Sequence, residues 1–260
     1  MAFKKLLASV GFGGGSVETV LSEPNVLPGG VVHGEVRIEG GSVEQRVQGL
    51  SVGLQGKVEV ESQDQETVRD VEFHRQQLGG AFDLAPGATH VVPFALEIPW
   101  ETPVTVFMGH HLPGMHVGVS TRLDIARAVD STDLDPVHVH PLPAQQAILD
   151  AFGGLGFRFK GADLEQGRVH GTRQRLPFYQ EIEFYAPPQY RGLSEVELTF
   201  VADGQAMDVV LEMDKKPGLF SGGSDSFRCF PMDLENFRQT DWTGYLNQWL
   251  AEVGSRRNWF

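Results

Sequence analysis

A chain of 260 residues with 41% hydrophobic and 21% charged content exceeds the usual single-domain size, so two folded domains of about 130 residues each are expected. Its formal charge of −13 is spread evenly, with 9 basic against 16 acidic residues up to Asp130 and 12 against 18 after it. Neither half carries the block of Lys and Arg that supplies most nucleic-acid affinity, which sets DNA and RNA aside as partners.

A lone cysteine, Cys229, rules out a disulfide within the chain, and the alternation in Phe227-Arg228-Cys229-Phe230 puts it on the face of Phe227 as a buried thiol. No run approaches the apolar length of a membrane span, and the amino terminus lacks a signal-like core. The expectation is a cytoplasmic protein without an integral membrane segment.

In chain order, Phe3, Leu6, Leu7 and Val10 fall at helical spacing and predict a short amphipathic helix over 1–10, packed on the first domain and stopped by the glycines that follow. Those glycines are no dinucleotide loop, since no strand precedes them and Ser16 stands where the third glycine would fall. From Ser16 the period becomes two. Val17, Thr19 and Leu21 share one face, as do Val32, Gly34, Val36 and Ile38 after the Pro28-Gly29-Gly30 turn. The longest alternation runs from Leu50 to Val60, and further strands read at 68–77, 92–98 and 117–125. Strands joined by turns without intervening helices predict an antiparallel β-sandwich.

The segment Val129–Pro143 (VDSTDLDPVHVHPLP) reads as a joint, because three prolines and the acids Asp130, Asp133 and Asp135 leave only Val137–His140 strand-like. The predicted organisation is a first sandwich with its leading helix over 1–130, a linker over 131–148 entered through Asp130, Asp133, Asp135 and Pro136, and a second sandwich over 149–260 that ends in an amphipathic helix. In the second half, period-two pairs recur at Phe157/Phe159, Ile182/Phe184, Val196/Leu198, Val209/Leu211 and Phe227/Cys229. The loop 215–226 is flexible by composition. Trp242, Tyr245, Leu246, Trp249, Leu250 and Val253 then return to helical spacing, with Thr240 or Asp241 as cap. That stripe serves either the core or a partner groove.

No GxSxG elbow, HExxH, P-loop or CxxC is present, so the motif routes to hydrolase, protease, NTPase and redox chemistry are closed. His138 and His140, two apart, share one side of a strand and form the best metal candidate, with His110, His111 and His116 near in sequence. A third ligand and the glutamate of a cupin-type site do not follow, so solvent-facing histidines opposite Val137 and Val139 are favoured. Asp130, Asp133 and Asp135 have spacing suggestive of Ca²⁺, but the glycine and closing glutamate of a calcium loop are missing.

The stretches SVETVLSEPNVLPGGVVHGEVRIEGG, QRVQGLSVGLQGKVEVE, VPFALEIPWETPV and VSTRLDIARAVDSTDLDPVHVHP, with FKKLLASVG before them and DWTGYL near the end, resemble the bacterial SpoOM-type sporulation-control proteins. The resemblance is strongest from Phe3 to Pro141. It implies an all-β fold of tandem arrestin-like sandwiches and a regulatory, non-enzymatic role without cofactor, and it brings no catalytic motif. The expected function is thus a regulator or adaptor acting through protein partners, with Trp242, Tyr245, Trp249, Trp259 and Phe260 as candidate partner-binding residues and a homodimer as the expected assembly from open strand edges. The alternative is a metal-dependent enzyme or metal-binding protein centred on His138 and His140.

Overall fold

The computed structural model describes residues 8–9, 15–62, 65–126, 131–190, 192–215 and 227–255. Strands β1 (Ala8–Ser9), β2 (Ser16–Leu21), β3 (Asn25–Val26), β4 (Val31–Glu39), β5 (Gln45–Ser62), β6 (Gln65–Gly79), β7 (Phe82–Leu84) and β8 (Thr89–Glu97) come first. After them come β9 (Val106–Phe107), β10 (His110–His111), β11 (Val117–Ile125), β12 (Ser131–Pro136), β13 (His138–Val139) and helix α1 (Pro143–Gly154). The chain continues with β14 (Arg158–Gln166), β15 (Phe178–Tyr185), β16 (Leu193–Ala202), β17 (Ala206–Lys215), β18 (Arg228–Asp233) and helix α2 (Trp242–Ser255). The fold is mostly β, as the period-two pattern predicts.

Two compact units divide the chain, and neither is one continuous stretch. Unit 1 takes Met1–Lys57, Asp70–Pro99 and His116–Val139; unit 2 takes Val58–Arg69, Trp100–Met115 and His140–Phe260. The second unit therefore owns the far end of β5 and the start of β6, a long-range exchange that a linear reading of the sequence does not contain.

In unit 1, an antiparallel sheet in the order β1-β2-β4-β8 shares a core with a second sheet in which β11 lies between β12 and β5. The sequence Val-Val-His-Gly-Glu-Val-Arg-Ile-Glu of β4 alternates, so Val32, Val36 and Ile38 point inward while His33, Arg37 and Glu39 face out. The core joins Val17, Val36, Ile38 and Leu96 of the first sheet to Val47, Leu50, Val52, Leu54, Val119 and Leu123 of the second. Each such side chain contributes about 1.5–3 kcal/mol on burial. One polar bond lies within it: the Thr19 and Thr121 hydroxyl oxygens stand 2.5 Å apart and satisfy each other. Gly34 is required here because a Cβ would come within 2.7 Å of the Phe94 ring and of the Val20 carbonyl.

Residues 131–148, expected as a linker, are instead structured. β12 pairs with β11 from Leu123↔Ser131 to Gly118↔Pro136, and Pro136 is tolerated because it is the last residue of an outer strand. Asp133 ties this strand to β2, its Oδ2 accepting the Thr19 amide at 2.9 Å. The chain then enters α1, with Pro143 at the first turn and the Gln145 side chain accepting the Leu142 amide at 2.7 Å. Ala144, Ile148, Leu149 and Phe152 bury its inner stripe. Of the leading helix expected over 1–10, Ala8–Ser9 is a strand paired with Ser16–Val17, and the remainder lies outside the described residues.

In unit 2, β14 to β18 form an antiparallel meander, joined at β14 by the end of β5 through Glu165↔Glu59. One face of it is apolar, carrying Leu164, Phe178, Ile182, Phe184, Leu198, Leu211, Phe230 and Met232. Among the described residues, α1, α2, the segment around Val104 and β9, which pairs with β10, pack on this face, Phe107 of β9 meeting Phe159 at 6.4 Å. Phe152 of α1 meets Phe184 with ring centroids 5.0 Å apart, Trp242 and Tyr245 of α2 pack on Phe230 at 5.8 and 5.1 Å, and Gln180 exchanges two hydrogen bonds with the Val104 backbone. Cys229 belongs to the opposite face and is half-buried, because Phe230 and Met232 take the core positions of β18. Among the described residues, β8 and β18 end their sheets, and they contain Pro93 and Pro231, which lack an amide donor.

Candidate functional site

The other face of the unit 2 meander is where charge gathers. Alternation places Asp163 and Glu165 of β14, Tyr179, Glu181 and Glu183 of β15, Glu197 of β16 and Glu212 of β17 on that face, all half-buried. Strand register sets them against one another: Asp163 is directly opposite Glu181, Glu183 opposite Glu197, and Glu197 opposite Glu212. Like charges in such positions destabilise a sheet, so this arrangement costs folding energy.

An open groove of about 780 Å³ on this face is lined by Glu165, Arg168, Tyr179, Glu181, Glu197 and Glu212. A neighbouring lobe of about 340 Å³ shares Tyr179, Glu181, Glu197 and Glu212 and adds His170, Thr199, Val210 and Phe227. Burial, reinforced by Glu197, Asp163, Glu165 and Glu212, pushes the Glu181 carboxyl up to about 8. Burial, with Glu181, Glu165 and Glu212 beside it, likewise raises the Tyr179 hydroxyl. At one end Lys160 lies 2.5 Å from Glu195 and 3.1 Å from Glu183, and its ammonium is held charged chiefly by the Glu195 hydrogen bond.

The rim is built with unusual care. Residues 167–177 carry Arg168 and His170, and the buried Gln174 amide donates to the carbonyls of Gly167, Leu176 and Phe178 at 2.8, 2.9 and 3.0 Å. Its oxygen accepts the Val169 amide at 2.8 Å. Arg173 bonds Asp208 at 3.0 Å and Asp203 at 2.8 Å, and Glu101 accepts the amides of Arg175 and Leu176. The groove wall is thereby fixed before anything binds.

Asp163, Glu165 and Glu181 bring carboxylate oxygens within 4.8 Å of one another. An all-oxygen set of this kind suits a hard divalent cation and not zinc. Among the described residues no group that could share a metal includes a histidine.

The residues singled out from sequence lie elsewhere. His138 pairs in parallel register with Asn25, and its neighbour Glu23 is held below the usual carboxylate range by the Asn25 amide and side chain, with a smaller pull from His138. The boundary between the units falls between Val139 and His140. Asp133 and Asp135 belong to β12, Asp135 being buried, while Asp130 lies outside the described residues. Trp242, Tyr245 and Trp249 lie on α2 beside β18, where Arg228 stacks on the Tyr245 and Trp249 rings at 5.3 and 5.6 Å. Trp259, Phe260 and the loop 216–226 lie outside the described residues. The acidic face was missed although its signal is present: Asp163-Leu164-Glu165, Glu181-Ile182-Glu183 and Glu195-Val196-Glu197 are apolar positions flanked by acids at period two.

Fold and groove define a mostly β protein in two units, one of which bares a carboxylate-lined sheet face. The family described as SpoOM protein matches residues 3–217, and the chain belongs to that family. It is 34% identical over 216 residues, 82% of this chain and 81% of the relative, to the sporulation-control protein spo0M of Bacillus subtilis (strain 168). The crystal structure of Spo0M from Bacillus subtilis is similar with a TM-score of 0.78 at 28% identity, covering 95% of this chain and all of that one.

Proposed function

We propose that this chain is a non-enzymatic regulator of the sporulation-control type, working in the cytoplasm by binding other proteins, with unit 1 an arrestin-like sandwich. Membership of the SpoOM family supports the regulatory role, and the two sheets of unit 1 about one core support the arrestin-like reading. The observation that carries the binding role is the face of β14 to β17 turned away from the unit 2 core, where acids stand opposite acids around an open groove. A sheet face kept at a cost in stability, and kept rigid, is a surface for contact. Among the described residues no helix is long and apolar enough to cross a membrane.

The test is crosslinked capture of partners with the full chain and two variants of equal charge. One carries Glu181→Gln, Glu197→Gln and Glu212→Gln in the groove; the other carries Glu39→Gln, Glu97→Gln and Glu235→Gln on remote surfaces. Partners kept by the remote variant and lost by the groove variant support the reading. An identical set captured by both would refute it.

A further inference from the structure

Unit 2 contains another, far smaller space of about 10 Å³, whose wall includes Thr102, Gln145, Gln174 and Gln180. We infer that it is an internal hydration site: one water molecule bonds the Thr102 hydroxyl there and joins it to the side-chain amides of Gln145 and Gln180. Thr102 lies on the segment between β8 and β9 and is 2% exposed, and among the described residues its Oγ1 has no hydrogen-bond partner. A hydroxyl taken out of bulk water without a replacement bond bears its full desolvation cost. In unit 1 the buried Thr19 and Thr121 hydroxyls meet that demand for each other. Thr102 has no such neighbour.

The glutamines supply the other partners. Gln180 exchanges two bonds with the Val104 backbone, its oxygen accepting at 2.9 Å and its nitrogen donating at 2.8 Å, which leaves the second amide hydrogen over. Gln145 accepts the Leu142 amide on its oxygen, so the hydrogens on its nitrogen remain to be placed. Bulk solvent has little access to either, since Gln145 is 4% and Gln180 8% exposed. Gln174 is spent, its nitrogen donating to three carbonyls. A water that accepts from Gln145 and Gln180 and donates to Thr102 Oγ1 has the number of polar partners, about two to four, that internal waters hold. Size decides between water and anything larger: an internal water needs about 10–15 Å³, and a space of about 10 Å³ admits one and no organic ligand. The water thereby ties the segment before β9 to α1 and β15 within unit 2.

The test is a crystal structure of the full chain at a resolution that shows ordered waters, with the melting temperatures of Thr102→Val and Thr102→Ser measured beside the parent. Expected is a density peak about 2.5–3.0 Å from Thr102 Oγ1 in the parent, kept in Thr102→Ser, which retains the hydroxyl. Thr102→Val, which keeps the branched shape and loses the hydroxyl, should melt about 2–4 °C lower. The valine change discriminates because a buried hydroxyl with no partner of any kind is better replaced by a methyl, so an unchanged or raised Tm would overturn the proposal. Featureless density beside Oγ1 in the parent would overturn it as well. Loss of the peak in Thr102→Ser would do the same, by showing that the hydroxyl is not what holds the water.

Discussion

Asp163 and Glu181 stand directly opposite each other on adjacent antiparallel strands, and their carboxylate oxygens lie within 4.8 Å. Burial pushes the Glu181 carboxyl up first, and Glu197, Asp163, Glu165 and Glu212 push it the same way. The pair makes unit 2 sensitive to pH in a direction opposite to that of salt-bridged carboxylates. In the folded chain Glu181 keeps its proton up to about 8, whereas in the unfolded chain it loses it near 4.5. Stability is therefore fully present below the lower value and declines as pH rises across the window between the two. Glu181→Gln should flatten that decline and melt higher than the parent above the window. Parallel melting curves for both proteins at every pH would show that Glu181 carries no such penalty.

Arg173 holds the rim through Asp208, which is buried, and Asp203. Replacing it by methionine keeps much of the stem but leaves Asp208 without its cation, at an expected cost of about 2 kcal/mol after allowing for partial exposure. Amide exchange at Val169 and Arg175 should quicken in the same variant, because both amides belong to the pinned loop. Unchanged exchange in a destabilised variant would separate the ion pair from the wall.

Helix α2 buries Leu246 and Leu250 completely, and Asn247 accepts a hydrogen bond from Tyr190 at 2.8 Å. Leu250→Ala should cost about 2–5 kcal/mol by the cavity it leaves. Chemical denaturation monitored by tryptophan fluorescence measures it, and a loss under about 0.5 kcal/mol, the range of ordinary surface substitutions, would mean the helix is not built into the core.

In unit 1, Gly34→Ala places a methyl against the Phe94 ring and the Val20 carbonyl. Overpacking of this kind costs about 1–3 kcal/mol. The companion change Phe94→Leu should recover part of the loss in a double-mutant cycle; strict additivity would deny the contact.

Much of unit 1 was legible because alternation is a local signal: β2, β4, β8 and β11 fall where period two places them. Pro136 and Pro143 misled, since proline suggests an unpaired linker but also suits the end of an outer strand and the first turn of a helix. The exchange of Val58–Arg69 into unit 2 was invisible, being a long-range arrangement of a continuous hairpin. The groove was half legible. Each strand advertises its own wet acids, but only the register of four strands reveals that Asp163 faces Glu181 and Glu197 faces Glu212. Histidines at period two attracted attention for their chemistry, while crowding of ordinary glutamates made the unusual environment.

The most direct measurement is a carboxyl-carbon NMR titration of the full chain with glutamate label, using Glu181→Gln to assign the signal. A midpoint near 8 for Glu181 is the predicted result. A midpoint at the ordinary value of 4.5 would contradict the crowded acidic face on which the reading of the groove rests.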